Sequence, residues 1–243
     1  MYRQRLVFLL AASIFTLCHW GQTMAQNHAE LLNEKQRSIA IIAAFTATGN
    51  QERLKPALQD GLNEGLTVNE IKEVLVQMYA YAGFPRSLNG LALFSDTLDA
   101  RKAQGIEDPL GAEARPVPAM DRNAYGAQMR AHLTGRKEDI SNQKWQEFSP
   151  VIDTFLKEHL FADIFARDVL DEKSREIATI GALAAMQGTR PQLQSHLEIS
   201  LNIGLTPPQL RDFASLIEAS VGTQEGTTAK ETLNAVLKAC EQK

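Results

Sequence analysis

Apolar residues along this chain recur at intervals of three and four, and the period-two alternation that marks strands is nearly absent. The spacing predicts helices near 33–48, 52–64, 68–82 and 86–103, then near 121–134 and 142–160, then near 171–187, 190–203, 207–221 and 226–241. The third is the clearest. Val68, Ile71, Val74, Leu75, Met78, Tyr79 and Ala82 form one continuous stripe on one face. Its start carries two signals. Gly65 can end the preceding helix in a left-handed cap, and Thr67-Val68-Asn69-Glu70 reads as a capping box, with hydroxyl and carboxylate satisfying free amides. Gly204 and Thr206-Pro207-Pro208-Gln209 use the same grammar, with proline where a missing N–H costs nothing. Ile39 to Ala47 and Ile177 to Met186 are apolar on more than one side, so each is expected either at the centre of its unit or buried by association of copies.

The shared grammar is part of a duplication. Leu32-Asn33-Glu34-Lys35-Gln36-Arg37-Ser38-Ile39-Ala40 is echoed by Leu170-Asp171-Glu172-Lys173-Ser174-Arg175-Glu176-Ile177-Ala178. Leu62-Asn63-Glu64-Gly65-Leu66-Thr67 is echoed by Leu201-Asn202-Ile203-Gly204-Leu205-Thr206, and the offset drifts by a single residue between the two matches. A repeat of this length means two related supersecondary units rather than a short-period solenoid. Two antiparallel helical units packed about a pseudo-two-fold axis are therefore expected, in an all-α fold. Gly111 to Met120 carries two prolines and a glycine and reads as a linker. The aromatic segment Leu160 to Phe165 is expected to pack the second unit against its sister or against another subunit.

The first 25 residues read differently. Met1-Tyr2-Arg3-Gln4-Arg5 is basic, Leu6 to Leu17 is apolar but short for a membrane span, and Thr23-Met24-Ala25 is an acceptable cleavage site. This is the pattern of an export leader, so the mature chain is expected to begin near Gln26 and to be secreted or periplasmic, with no stable membrane span. The expected organisation is a leader over 1–25, a first module over 26–110, a linker and helical arm over 111–160, and a second module over 161–243.

Net charge is −4 and no basic stripe is present, which argues against a nucleic-acid partner. Cys18 leaves with the leader, so Cys240 stands alone and no intrachain disulfide can form in the mature chain. No H-E-x-x-H or clustered His/Cys set suggests a metal, and no glycine-rich phosphate loop or nucleophile elbow is found. No cofactor is expected.

The two copies differ where chemistry could sit. The second has Glu176 and His196 where the first has Ser38 and Ala57. Glu176 shares a helical face with Ile180 and Leu183, so its carboxylate loses hydration. It could be a structural ion-pair partner of Arg175, Lys173 or a neighbouring helix. His196 lies beside the stripe of Leu193 and Leu197 and, alone, reads equally as a satisfied core histidine. The short connection Gly188-Thr189-Arg190-Pro191 makes their helices antiparallel neighbours, so carboxylate and imidazole can meet. The carboxylate would then orient the ring and leave its other nitrogen free to move a proton. Tyr79-Ala80-Tyr81-Ala82-Gly83-Phe84-Pro85, with Asn89 one turn on, is either an aromatic helix corner or the wall of a pocket. Tyr79, Tyr81, Phe84 and Asn89 are the candidate lining of a small-molecule site. Arg37 and Arg175, present in both copies, read as structural partners of acids or as anion binders. His132 and His159 read as surface or packing residues.

The succession Leu170 to Ala178, a small-residue helix, His196 eight residues before Gly204, and Thr206 resembles the carboxymuconolactone decarboxylase family. In the first unit, Gly65-Leu66-Thr67 with Glu70-Ile71 and Tyr81-Ala82-Gly83-Phe84-Pro85 resemble the same module. The resemblance implies two modules of the alkylhydroperoxidase D type, assembled as a homo-oligomer, a trimer or a dimer. One branch of that family reduces disulfides through a C-x-x-C pair near the start of the histidine helix; here the region reads Gly188-Thr189-Arg190-Pro191. The relay glutamate and histidine of that branch match Glu176 and His196. The other branch is named for decarboxylating a carboxylated lactone. The resemblance thus implies cofactor-free acid/base chemistry, decarboxylation or lactone/enol proton transfer, on a small carboxylated compound. The alternatives are a peroxidase or thiol-disulfide relative that uses Cys240, and a non-catalytic oligomeric binding protein.

Overall fold

The computed structural model of the protein describes residues 31–117, 119–140 and 143–242. The expected leader lies outside the described residues. Among the described residues there are eleven α-helices, one π-helical stretch and no strand. The first unit is α1 (Glu34–Thr48), α2 (Gln51–Asn63), α3 (Val68–Ala82) and α4 (Phe84–Ala103). An arm follows, with α5 (Arg122–Leu133), α6 (Lys144–Phe148) and α7 (Pro150–Phe155), which runs into the π-helical stretch Leu156–Ile164. The second unit is α8 (Glu172–Ala185), α9 (Arg190–Asn202), α10 (Pro207–Ser220) and α11 (Thr223–Glu241).

The helix boundaries follow the local chemistry. Thr67 Oγ1 accepts from the Glu70 N–H at 3.2 Å, and the Glu70 carboxylate accepts from the Thr67 N–H at 2.7 Å. Thr206 and Gln209 repeat the box at α10. Gly65 and Gly204 stand at φ 91° and 92°, the left-handed turn that both copies require before that box.

The two all-round apolar helices, α1 and α8, lie at the centre, and no other pair of helices is in more extensive contact. Small residues let them approach. A Cβ on Gly181 would stand 2.5 Å from the Ala40 carbonyl oxygen, so only glycine fits there. Reciprocal ion pairs lock the arrangement. Arg37 on α1 grips Asp212 on α10 at 2.8 and 2.9 Å, and Arg175 on α8 reaches Glu73 on α3 at 3.1 Å. Each arginine pairs across to the other unit at the matching repeat position, as a pseudo-two-fold duplication demands. Arg37 and Arg175 are therefore structural partners of acids.

The arm departs from the predicted single helix over 142–160. Ser149, at φ −141°, breaks it, because the residue before Pro150 is pushed away from helical geometry. The helix beyond the break continues four residues past the expected end, to Ile164. Leu160, Phe161, Ile164 and Phe165 form a second core with Leu133 and Ile199, and Val76, Tyr79, Tyr81 and Ile203 pack against it. The aromatic segment thus packs on the sister unit's α3 as well as on α9. Arg130, 2% exposed, holds the arm together from inside through Asp139 at 2.6 Å and Asp153 at 2.7 Å.

Candidate functional site

α8 and α9 run antiparallel after the tight Gly188–Thr189 connection, which brings Glu176 and His196 face to face. His196 Nδ1 stands 2.7 Å from Glu176 Oε2. The Glu176 side chain is wholly buried, whereas the imidazole keeps 12% of its surface exposed. Among the described residues no hydrogen bond engages His196 Nε2. Glu176 Oε1 is buried and has no hydrogen-bond partner among the described residues. A carboxylate with one oxygen on Nδ1 fixes the tautomer and orientation of the ring and leaves Nε2 as the working nitrogen.

The first unit completes the site. Tyr81, near the end of α3, sets its ring edge-on to His196 with centroids 5.8 Å apart. Its hydroxyl lies 3.1 Å from Thr179 Oγ1. Burial, and then the nearby Glu176 carboxylate, push the phenol well above its ordinary pKa, so it stays a proton donor. Gln77 Nε2 donates to Thr179 Oγ1 at 3.0 Å and to the Arg175 carbonyl at 2.8 Å, and Arg175 donates to Gln77 Oε1 at 3.1 Å. Glu73 closes the chain against Arg175 and Arg167. Burial alone would raise the Glu73 carboxyl, but the hydrogen bonds from Arg167 and Arg175 outweigh it and hold the group below its usual range. A hydrogen-bonded network therefore runs from Glu73 through Arg175, Gln77 and Thr179 to the Tyr81 hydroxyl, and the Tyr81 ring in turn lies edge-on to His196.

The remaining sequence candidates fare differently. Tyr79 is half-buried in the arm's core and stacks on Phe84 at 4.7 Å. Phe84 is 63% exposed, and Asn89 is exposed on α4 with no hydrogen bond to the dyad among the described residues. Phe84 and Asn89 are thus not brought to the dyad, because α4 turns away at Gly83 (φ 84°) and carries them along the outer surface. Cys240 is free and exposed in the last turn of α11. His132 has a partner that the sequence did not suggest, Glu172 at 3.1 Å, and His159 lies 3.6 Å from Asp163; both rings are more than half exposed. Among the described residues no group of three His, Cys, Asp or Glu side chains is arranged to hold a metal. Sequence reasoning missed Gln77, Thr179 and Glu73. One signal was available for Glu73: an acid stands at that position in both copies, opposite an arginine kept in both.

An open cavity of about 610 Å³ lies elsewhere. Its walls include Arg37, Ser38 and Ile41 of α1, Arg53, Ala57 and Asp60 of α2, and Leu216 and Ser220 of α10. In the repeat register these are the positions of Arg175, Glu176, Thr179, Gln192, His196, Ile199, Gln77 and Tyr81. The cavity thus lies at the pseudo-symmetric counterpart of the dyad's position. At the dyad's own position the arm packs against Tyr81, Ile199 and Ile203; among the described residues nothing comparable covers the first-unit cavity. Neither this cavity nor a smaller one of about 230 Å³ beside Gly188 includes the dyad in its walls.

A duplicated all-helical unit, a central helix pair and a glutamate–histidine contact on consecutive helices define the class. The carboxymuconolactone decarboxylase family model matches residues 10–96 and 150–235, most of the chain in two tandem copies, and the chain belongs to this family. It is also similar to the 4-carboxymuconolactone decarboxylase of Acinetobacter baylyi, with 32% identity over 68 residues, 28% of this chain and 48% of that protein. The chain therefore spans about half the length of this relative.

Proposed function

We propose that this protein is a decarboxylase-like enzyme that uses acid/base chemistry, without a cofactor, on a small carboxylated lactone or enol-type compound. The observation that carries the reading is the 2.7 Å contact between His196 Nδ1 and a fully buried Glu176. In the step envisaged, the bond between the substrate carbon and its carboxylate breaks and carbon dioxide leaves. The electron pair passes into an adjoining carbonyl of the substrate to give an enolate, and protonated His196 delivers its Nε2 proton to the enolate carbon. The Glu176 carboxylate stabilises the charged ring before transfer, and solvent at the exposed ring edge reprotonates it afterwards. In this reading Tyr81, kept protonated beside His196, donates a hydrogen bond to the enolate oxygen. Family membership and the similarity to a named decarboxylase support this class of reaction. Substrate entry requires the arm's π-helical stretch to shift, since it packs between α3 and α9.

The test offers 4-carboxymuconolactone and simpler lactone carboxylates to the purified protein and follows carbon dioxide release. His196→Gln is expected to lower kcat by about 10²–10⁴-fold with its circular dichroism unchanged. Equal turnover by this variant would remove His196 from the mechanism. We read Met1 to Ala25 as an export leader. Terminal sequencing of the protein from a periplasmic fraction should start near Gln26, and a start at Met1 would contradict that reading.

One observation favours a second reading, a binding protein of the same fold: the two cavities open away from the dyad. It predicts ligand binding in the first-unit cavity and no turnover of any carboxylated lactone.

A further inference from the structure

We propose that the open cleft of the first unit is the seat for the apolar face of α6 and α7 from a second copy of this chain. The fold shows what such a cleft accepts. Its twin in the second unit is crossed by a helical stretch of the chain's own arm, which places Leu160, Phe161, Ile164 and Phe165 between α3 and α9. No described segment lies across the first-unit cleft, although its floor of Ile41, Phe45, Ala57 and Leu216 is apolar.

The same arm offers an apolar surface with nothing against it. Trp145 and Phe148 on α6 and Val151, Ile152 and Phe155 on α7 are exposed apolar side chains grouped within eleven residues, and Phe148 is 92% exposed. Apolar side chains grouped in this way on a soluble surface mark an interaction site. α6 and α7 make their main contacts with each other and with the π-helical stretch. The Arg130 ion pairs hold that assembly together within the arm, and Leu160, Phe161, Ile164 and Phe165 seat it against Ile199 and Ile203 of the second unit. The stripe therefore faces outward, toward a partner.

Charge selects the fit. Where the occupied cleft has Ile199 and Ile203, the open one has Asp60 and Glu64, and Glu52 joins them on the rim. None of the three has an ion-pair partner among the described residues. Lys144 beside Trp145, and Arg136 and Lys137 just beyond α5, are exposed cations without an acidic partner among the described residues, outnumbering Glu138 and Glu147 of the same region, which have no cationic partner among them either. The apolar face made by Leu160, Phe161, Ile164 and Phe165 would strand Asp60 and Glu64, whereas an arm surface that also carries Lys144, Arg136 and Lys137 offers them cations. Arm and cleft lie on different units. The contact therefore either exchanges twice about a two-fold axis or runs head to tail around a closed ring. This inference is independent of the chemistry assigned to the dyad.

The experiment uses the mature chain at 1:1 mixtures and over a range of concentrations, followed by sedimentation and light scattering. Wild type is expected to associate. Phe148→Asp on the arm and Asp60→Lys on the rim should each weaken association at least tenfold, with unchanged circular dichroism and thermal midpoint. In a Cys240→Ser background, Phe148→Cys mixed with Asp60→Cys should give a disulfide-linked heterodimer. Phe148→Cys mixed with Asp99→Cys, on the outside of α4, should not. A protein that stays monomeric at every concentration, whatever else fills the cleft, overturns the proposal. So does association that both charge variants leave unchanged, or cross-linking as efficient to position 99 as to position 60.

Discussion

Arg175 is the side chain through which the two units recognise each other at the dyad. It is 1% exposed, and burial pulls its pKa down while Glu73 opposes the fall. A charge this deep is tolerated because Glu73, Gln77 and the Arg167 carbonyl share it. The identity of Arg175 is written in the sequence, but its partners sit about one hundred residues earlier, and helical spacing says nothing about them. Glu73→Gln should therefore cost on the order of 2–4 kcal/mol at neutral pH by leaving the guanidinium under-compensated. Because the folded protein holds the Glu73 carboxyl low, that advantage is fully present above the ordinary value of about 4.3. It disappears as the pH falls through the lower, folded-state value. Urea midpoints of wild type and variant should differ at pH 7 and converge as the pH falls below the folded-state value. A constant difference would show that ionisation of Glu73 is irrelevant.

Among the elements, the central pair α1 and α8 depends on small side chains rather than on charge. Gly181→Val places bulk against the Ala40 carbonyl and should lower stability by about 2 kcal/mol or more. Equilibrium denaturation reads this directly, and an unchanged midpoint would mean that the helices can separate without loss. Most helices were legible from spacing, and their starts from Thr67 and Thr206, because capping is local chemistry. The arm was not. Its apolar spacing suited one helix, and the steric effect of Pro150 on Ser149 was missed. The direction of α4, which carries Phe84 and Asn89 outward, depends on the turn at Gly83, where a tight break was foreseen but not its direction.

At the scale of the molecule, one duplication has produced two clefts with different fates. The second holds Glu176 and His196 under the arm; the first has Ser38 and Ala57 and stands open. If the arm controls access to the dyad, loosening it should expose His196. Arg130→Met removes the buried cation that ties Asp139 to Asp153. It should speed limited proteolysis between residues 112 and 168, and mass-mapped histidine modification should rise at His196 while that at exposed His132 and His159 stays level. No change at His196 would mean that the arm does not limit access.

The sequence by itself determined the helices, the duplication and the presence of a glutamate and a histidine in only one copy. Each of these is a local or periodic property of the chain, and short-range sterics and capping suffice to express it. The dyad was also within reach, because a short connection forces consecutive helices to be neighbours. Only the tertiary structure decided that Tyr81 of the first unit lies against His196 of the second, that the arm packs beside that pair, and that no described segment covers the matching cavity of the first unit. Those outcomes depend on how two like surfaces pack across a pseudo-two-fold axis, where contacts join residues far apart in the chain and no local pattern specifies the partner.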